Sequence, residues 1–248
     1  MALMKALGDM ETGKLLIALC GDTHPAILEE FGNFDSWFID VFDKMGISTH
    51  LWNTHMHHDA PEGDFIGCVV TGSPAMVTDR AQWSEDLGRW MRLAIERGLP
   101  LLGVCYGHQL LADALGGVVD YQPDGREIGS LLITNHAFDS DDYIFSRLPH
   151  IFHAHLTHAQ SVLTLPEGAV NLASSGRVKH QAFRYGARTW GVQFHPEFTC
   201  PIMSAYLSVY RDQIPPAQRL QLEAHLQDCF DAQRVLEIFA EGCLRGFA

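Results

Sequence analysis

The 248 residues carry a formal net charge of −13 and are 47% hydrophobic, enough apolar material to bury a core without disulfide or metal staples. This acidic balance argues against nucleic-acid binding, because phosphate contacts require clustered Lys and Arg, and no such cluster occurs. Asp9 and Glu11 interrupt the N-terminal segment and no run of eighteen apolar residues follows, so we expect a cytoplasmic protein without membrane contact.

The first half of the chain alternates short apolar runs with amphipathic stretches. The apolar runs predict strands at 14–19, 47–52, 65–71 and 99–104. The stretches between and after them predict helices at about 34–45, 84–97 and 108–115. This order predicts an α/β fold with a doubly wound, mostly parallel central sheet, whose ligands bind at the carboxyl ends of the strands.

The second half is richer in strands until its last fifty residues. Apolar runs predict strands at 127–134, 150–156, 161–165, 170–175, 180–185 and 189–194, as antiparallel additions to the same sheet. Helical periodicity follows at about 202–210, 217–230 and 233–239. We therefore expect one domain at residues 1–198, with a helical extension at 199–248 packed on it.

Cys105 lies between two glycines, in Gly103-Val-Cys105-Tyr-Gly107, where a predicted strand meets a predicted helix. This spacing is typical of a nucleophile elbow, in which small flanking residues let a strained central residue project above the sheet. The helix start would stabilise the thiolate, and the backbone N–H of Tyr106 would face a developing oxyanion. The alternative is a buried cysteine with a packing role.

A cysteine that releases an amine also needs a proton donor, usually a histidine. His195 ends the predicted strand in Trp190-Gly-Val-Gln-Phe-His195-Pro-Glu197, and Glu197 is placed to hydrogen-bond the imidazole and fix its tautomer. Gly72, at the end of another strand, would supply the second oxyanion donor. Simple turns are the alternative interpretation of these segments.

Three motifs occur in this chain in the order TGSP, GVCYGHQ and GVQFHPE. They resemble those of the class I glutamine amidotransferases over about residues 15–198. Gly125-Arg-Glu-Ile-Gly129 resembles the central segment of the stand-alone GMP-synthase-like members. The resemblance implies that Cys105 is the nucleophile, His195 the general base and acid, and Glu197 the orienting carboxylate. It implies that Gly72 and Tyr106 are the oxyanion donors.

The same resemblance extends to the substrate and to cofactors. It implies that the substrate contacts Ser73, Gln109, Thr157, His158 and Ala159, and that neither a metal nor an organic cofactor is used. The implied reaction is attack on the γ-carboxamide of glutamine, formation of a γ-glutamyl thioester, release of ammonia and hydrolysis to glutamate. Gln109 also fits a solvated helix position.

Two other patterns admit more than one interpretation. His153, His155 and His158 are spaced like the zinc ligands of metallo-hydrolases, although Thr157 stands where such sites carry an acid. The family resemblance instead implies that this segment is the loop after a strand that contacts the α-amino and α-carboxyl groups of the substrate. A polar strand end is the third possibility. Arg126 and Glu127 fit either substrate positioning or an exposed ion pair.

Three functions remain open. The sequence has neither an ATP-pyrophosphatase region nor a glycine-rich phosphate loop, so an amidotransferase would need a separate synthetase subunit to accept ammonia. The exposed face of the C-terminal helices is the expected contact surface for that partner. A stand-alone γ-glutamyl peptidase or hydrolase, which acts on small γ-glutamyl compounds, would use the same three catalytic residues. A non-catalytic regulator is the third alternative, which the complete triad disfavours.

Overall fold

The computed structural model describes residues 13–57 and 59–247, so the segment with Asp9 and Glu11 lies outside the described residues. The strands of the first half are β1 (Lys14–Leu19), β2 (Thr49–Asn53), β3 (Phe65–Val70) and β4 (Leu101–Val104). Its helices are α1 (Pro25–Phe31), α2 (Phe34–Lys44), α3 (Gln82–Glu96) and α4 (Tyr106–Ala114). The predicted alternation is confirmed, with α1 added: seven residues are too few to show helical periodicity.

The second half contains seven further strands and three helices within the described residues. The strands are β5 (Val118–Tyr121), β6 (Glu127–Asn135), β7 (Ile151–His158), β8 (Gln160–Thr164), β9 (Ala169–Ser174), β10 (Ala182–Tyr185) and β11 (Thr189–Val192). The helices are α5 (Cys200–Val209), α6 (Pro216–Ala224) and α7 (Phe230–Arg245). Helix α6 ends six residues before the predicted position 230, and α7 begins at that residue.

Nine of these strands form one sheet in the order β2-β1-β3-β4-β11-β10-β9-β6-β7. The five strands from β2 to β11 run parallel, and the four from β10 to β7 are antiparallel to their neighbours. The expected α/β fold with a mostly parallel central sheet is therefore confirmed for the first half. The expectation of an antiparallel addition at 189–194 is wrong for the pairing with β4, because β11 joins that strand in parallel register.

One strand prediction was wrong about its partner. The run at 161–165 forms β8, but β8 pairs with β5 in a separate two-stranded sheet. The chain turns after β7, the edge strand of the main sheet, and β8 then packs outside α4. Val119 of β5 and Val162 of β8 are buried in the same apolar cluster as Leu110 and Leu111 of α4. The small sheet thus covers the outer side of that helix.

Helices cover both faces of the main sheet. On β1, Leu15 and Ile17 join the cluster that includes α2 and α7, whereas Leu16 and Ala18 join the cluster that includes α3 and α4. Because both faces are buried, the strand is a continuous apolar run without alternation. None of the helices within 13–57 and 59–247 combines the length and apolarity needed to cross a bilayer.

Candidate active site

Cys105 lies at the corner between β4 and α4, in a conformation that only close packing can hold. Its φ is 51° and its ψ −98°, outside the regions that L-residues favour. Its N–H donates to the Val192 carbonyl at 2.9 Å. A Cβ at Gly103 would lie 2.4 Å from the carbonyl oxygen of Gly107, and one at Gly107 would lie 2.3 Å from that of Val70. Both flanking glycines are therefore required by contact with backbone.

His195 follows β11 and reaches the same edge of the sheet. Its N–H donates to the His155 carbonyl at 2.8 Å, and its Nδ1 lies 2.7 Å from Oε1 of Glu197. Both side chains are buried. Because Nδ1–H donates to the carboxylate, Nε2 is the nitrogen left to interact with the Cys105 sulfur.

The protonation of His195 is set by opposing effects. Burial lowers the pKa of His195, but the charges of Glu197 and Cys105 raise it by more than burial lowers it. The net pKa is about 10. The imidazolium is therefore the form expected at neutral pH. A proton donor thus lies beside the sulfur, as an amine leaving group requires.

The segment that follows β3 is hydrogen-bonded to the start of α4. Gly107 N–H donates to the Thr71 carbonyl at 3.2 Å, and a Cβ at Gly72 would lie 3.0 Å from Cε1 of His195. Tyr106 opens α4, so its N–H has no intrahelical acceptor. These contacts bring the backbones of Gly72 and Tyr106 to the edge where Cys105 lies. Their role as oxyanion donors stays a prediction.

A cavity of about 220 Å³ opens beside Cys105 and His195. Its wall includes all the residues that sequence reasoning assigned to substrate contact, namely Ser73, Gln109, Thr157, His158 and Ala159. It also includes residues that sequence reasoning did not assign: Thr23, His24, Pro25, Phe34, Pro74, Ala75, Met76, Gln160, Tyr206 and Tyr210. No motif marks this second set. The available signal is the four-residue spacing of the two tyrosines, Tyr206 in α5 and Tyr210 directly after its last residue.

Gln109 is buried, with 4% of its surface exposed, so the solvated-helix alternative is wrong. Its Nε2 donates to the Gln160 carbonyl at 2.7 Å and to Oε1 of Gln193 at 3.0 Å. Two oxygen partners fix the orientation of the amide, because a flipped group would face them with its own oxygen. Its Oε1 is therefore the atom left to accept a hydrogen bond from a ligand.

Glu127 and His158 form a buried pair behind the cavity wall, with Nε2 of His158 3.1 Å from Oε2 of Glu127. Ser175 Oγ donates to Glu127 Oε1 and Gln181 Nε2 donates to Oε2, each at 2.7 Å. Burial alone would raise the pKa of Glu127, but the hydrogen bonds and the charge of His158 outweigh it, so the pKa lies below its usual value. The interpretation of Glu127 as the partner of Arg126 in an exposed ion pair is therefore wrong.

The three histidines of the zinc alternative do not form a single metal-binding cluster. His155 Nδ1 is hydrogen-bonded to Ser130 Oγ at 3.2 Å, whereas His158 contacts Glu127 and the Gln160 carbonyl. Burial lowers the pKa of His155 to about 4. Within the part of the chain that the structure describes, no group of three His, Cys, Asp or Glu side chains could hold a metal ion.

A column of stacked rings connects His195 to α5. The imidazole stacks on Phe198 with a centroid distance of 3.9 Å, and Phe198 stacks on Tyr206 at 5.0 Å. Tyr206 continues to Tyr210 at 6.4 Å, and the Arg126 guanidinium lies 4.1 Å above the Tyr210 ring. The C-terminal segment therefore contributes to the wall of the site and supports the histidine.

Comparison with known proteins yields one family. The model of the family described as glutamine amidotransferase class-I matches residues 27–207. Two relatives are each 36% identical over 132 residues: the glutamine-hydrolysing GMP synthases of Porphyromonas gingivalis and Acetivibrio thermocellus. Each match covers 53% of this chain and 24% of the relative, so the chain spans about a quarter of these proteins.

Solved structures agree on the fold. A glutamine amidotransferase from Thermotoga maritima is 21% identical with a TM-score of 0.66, over 94% of this chain and 95% of the other. One from Methylobacillus flagellatus is 20% identical with a TM-score of 0.71, over 95% and 94% of the two chains. At this identity the likeness concerns the arrangement of strands and helices.

Proposed function

The chain belongs to the class I glutamine amidotransferase family, and from that premise we propose that it hydrolyses the γ-carboxamide of glutamine with Cys105 as nucleophile. The observation that carries the proposal is the geometry at the cavity: a strained cysteine directly precedes α4 and lies beside an imidazole that a buried carboxylate holds at 2.7 Å. Cys105, His195 and Glu197 would act as one unit.

In the first half of the reaction, the Cys105 sulfur attacks the γ-carbonyl carbon and the carbonyl oxygen becomes an oxyanion. The N–H groups of Gly72 and Tyr106 would stabilise that charge, each by about 3 kcal/mol in the transition state. The imidazolium of His195 then gives its proton to the nitrogen. The C–N bond breaks, ammonia leaves, and a γ-glutamyl thioester remains on Cys105.

In the second half, water replaces ammonia. His195, now neutral, accepts a proton from the water as its oxygen attacks the thioester carbon. The C–S bond breaks, glutamate leaves, and the thiolate and imidazolium are restored. Glu197 keeps Nδ1 protonated throughout, so that Nε2 always faces the reacting atoms.

The test is intact-mass detection of the thioester after rapid acid quenching of the protein with glutamine. We expect a γ-glutamyl adduct on the wild type and on Cys200→Ser, whose thiol lies outside the cavity, and none on Cys105→Ala. Ammonia release by the same three proteins should follow the same order. An adduct that maps to another cysteine, or persists in Cys105→Ala, would contradict the assignment.

We further propose that the ammonia goes to a separate synthetase. The relatives from Porphyromonas gingivalis and Acetivibrio thermocellus are named glutamine-hydrolysing GMP synthases, and this chain matches about a quarter of each. A synthetase that accepts the ammonia would complete such an activity. The six cysteines are free thiols, which supports a reducing, cytoplasmic setting for this chain.

A stand-alone γ-glutamyl hydrolase is the second candidate, and one observation favours it. The cavity extends from Cys105 to Arg126, a cation with which a second carboxylate of a γ-glutamyl peptide would pair. Release of a free amino acid from a γ-glutamyl dipeptide by the purified chain, faster than ammonia from glutamine, would support this candidate over the synthetase-linked one.

A further inference from the structure

The wall of the cavity differs in charge from the rest of the molecule. The chain has a net charge of −13, yet no Asp or Glu among the described residues lines the cavity. The ionisable groups there, besides the thiol and two tyrosines, are Arg126, His24, His158 and His195. Arg126 is the permanent positive charge of this set. Such a wall favours an anionic group on the ligand.

Arg126 is held in place at both its backbone and its side chain. The Arg177 guanidinium donates to the carbonyls of Asp124, Gly125 and Arg126, the last two at 3.1 and 3.3 Å. The Arg126 guanidinium lies over the Tyr210 ring at 4.1 Å. It makes no ion pair with any residue within 13–57 and 59–247. Its donors are therefore oriented and available.

Two buried acceptors on the segment paired with the start of β6 have no partner among the described residues. Oγ1 of Thr157 and Oε1 of Gln160 are buried without a hydrogen bond from the described residues, and both residues line the cavity. Antiparallel pairing of Glu127 with His158 brings Arg126 beside this segment. A ligand with a carboxylate and an ammonium group would satisfy the guanidinium and these acceptors together.

We propose that Arg126 binds a carboxylate of the substrate and thereby selects γ-glutamyl compounds that present one. The proposal rests on the proposed function, since it concerns the ligand that Cys105 attacks. Two carboxylates have this chemistry: the α-carboxylate of the γ-glutamyl group, and that of an amino acid joined through the γ-amide. Arg126 would bind either carboxylate, and compounds that carry only one of the two distinguish between them.

Calorimetric binding to Cys105→Ala measures recognition without turnover. The compounds are glutamine, L-glutaminamide, γ-glutamylmethylamide and γ-glutamylglycine, which differ in the number and position of their carboxylates. When Arg126→Gln is combined with Cys105→Ala, each compound that carries the contacted carboxylate should bind about tenfold to hundredfold more weakly. This is the range expected for loss of a charged hydrogen bond. Arg126→Lys should recover part of the loss, because it keeps the charge without the planar fork.

The pattern of losses identifies the carboxylate. A loss for every compound except L-glutaminamide assigns the α-carboxylate, whereas a loss confined to γ-glutamylglycine assigns that of the attached amino acid. Arg97→Gln is the matched control, because Arg97 is exposed, lies outside the cavity and changes the net charge equally. Equal losses for all four compounds, no loss, or an equal effect of Arg97→Gln would overturn the proposal.

The outcome for Arg126 is separable from that for the proposed function. If Cys105→Ala binds glutamine in an Arg126-dependent manner but the wild type forms no thioester and releases no ammonia, the carboxylate site stands and the hydrolysis fails. If the wild type turns over glutamine but Arg126→Gln binds every compound normally, the hydrolysis stands and the carboxylate site fails. If none of the four compounds binds, the carboxylate site is refuted.

Discussion

At the scale of single residues, the site depends on charges held close together in a buried place. His195 is buried, which by itself would favour the neutral imidazole. Glu197 and Cys105 reverse that preference, and in the proposed reaction the imidazolium would supply a proton to the leaving group and recover it from water. Removal of either neighbour should therefore change the proton affinity of the imidazole.

We expect Cys105→Ala and Glu197→Gln each to lower the pKa of His195 from about 10 towards its ordinary value of 6.5. The measurement is NMR titration of the histidine ring protons, with the exposed His57 as internal reference.

Because the pKa of His195 in the folded protein exceeds the unfolded value, the stabilisation from His195 is complete below about pH 6.5 and disappears as the pH rises through about 10. An unchanged His195 titration in both variants would contradict this account.

At the scale of elements, the site depends on the contact between α4 and the ends of β3 and β4. The elbow leaves no room for a Cβ at Gly103 or Gly107, since backbone atoms lie 2.4 and 2.3 Å from those positions. Backbone cannot move aside as a flexible side chain can. The glycine spacing that marked this motif in the sequence is thus a packing requirement of the strand–helix junction.

Gly103→Ala should lower the free energy of unfolding by about 2 kcal/mol or more, because the new methyl group overlaps the Gly107 carbonyl. Gly176→Ala is the matched control: that glycine is exposed and a Cβ there would meet nothing within 4 Å. It should change stability by less than about 0.5 kcal/mol. Urea unfolding of both variants measures the difference, and equal midpoints would contradict the packing argument.

At the scale of the whole molecule, the C-terminal segment belongs to the same core as the sheet. Val235, Leu236 and Phe239 of α7 are fully buried in the cluster that contains β1 and α2. A Cβ at Gly67 of β3 would lie 2.5 Å from the Cys243 sulfur, which shows how closely α7 approaches the sheet. Helix α5 and the residue after it supply Tyr206 and Tyr210 to the cavity. We propose that residues 199–248 unfold together with the rest.

Leu236→Ala should lower the free energy of unfolding by about 2–5 kcal/mol and leave a single transition for α7 and the site alike. Leu244→Ala on the same helix is the control, because Leu244 is 39% exposed and its loss should cost less than about 1 kcal/mol. Calorimetry with and without glutamine measures both. A separate early transition of the C-terminal segment, with glutamine binding retained, would contradict the proposal.

The sequence alone determined the parts of this protein that follow local rules. Continuous apolar runs indicated strands buried on both faces, and the strand–helix alternation predicted the parallel half of the sheet. Cys105, His195 and Glu197 could be proposed as a catalytic unit from the sequence because that chemistry requires certain residue types at short, fixed spacings. The tight turns beside them require glycine or proline at neighbouring positions, so those segments were recognisable without coordinates.

Only the tertiary structure decided which distant residues meet. Tyr206, Tyr210 and Arg126 come together from separate segments, and an aromatic residue on a helix has the same pattern whether it packs in a core or lines a cavity. Glu127 looked like a surface charge and is buried with His158. Hydrophobic periodicity indicates that a face is buried but not which partner covers it. For that reason the pairing partner of β8 and the far wall of the cavity could be identified only from the tertiary structure.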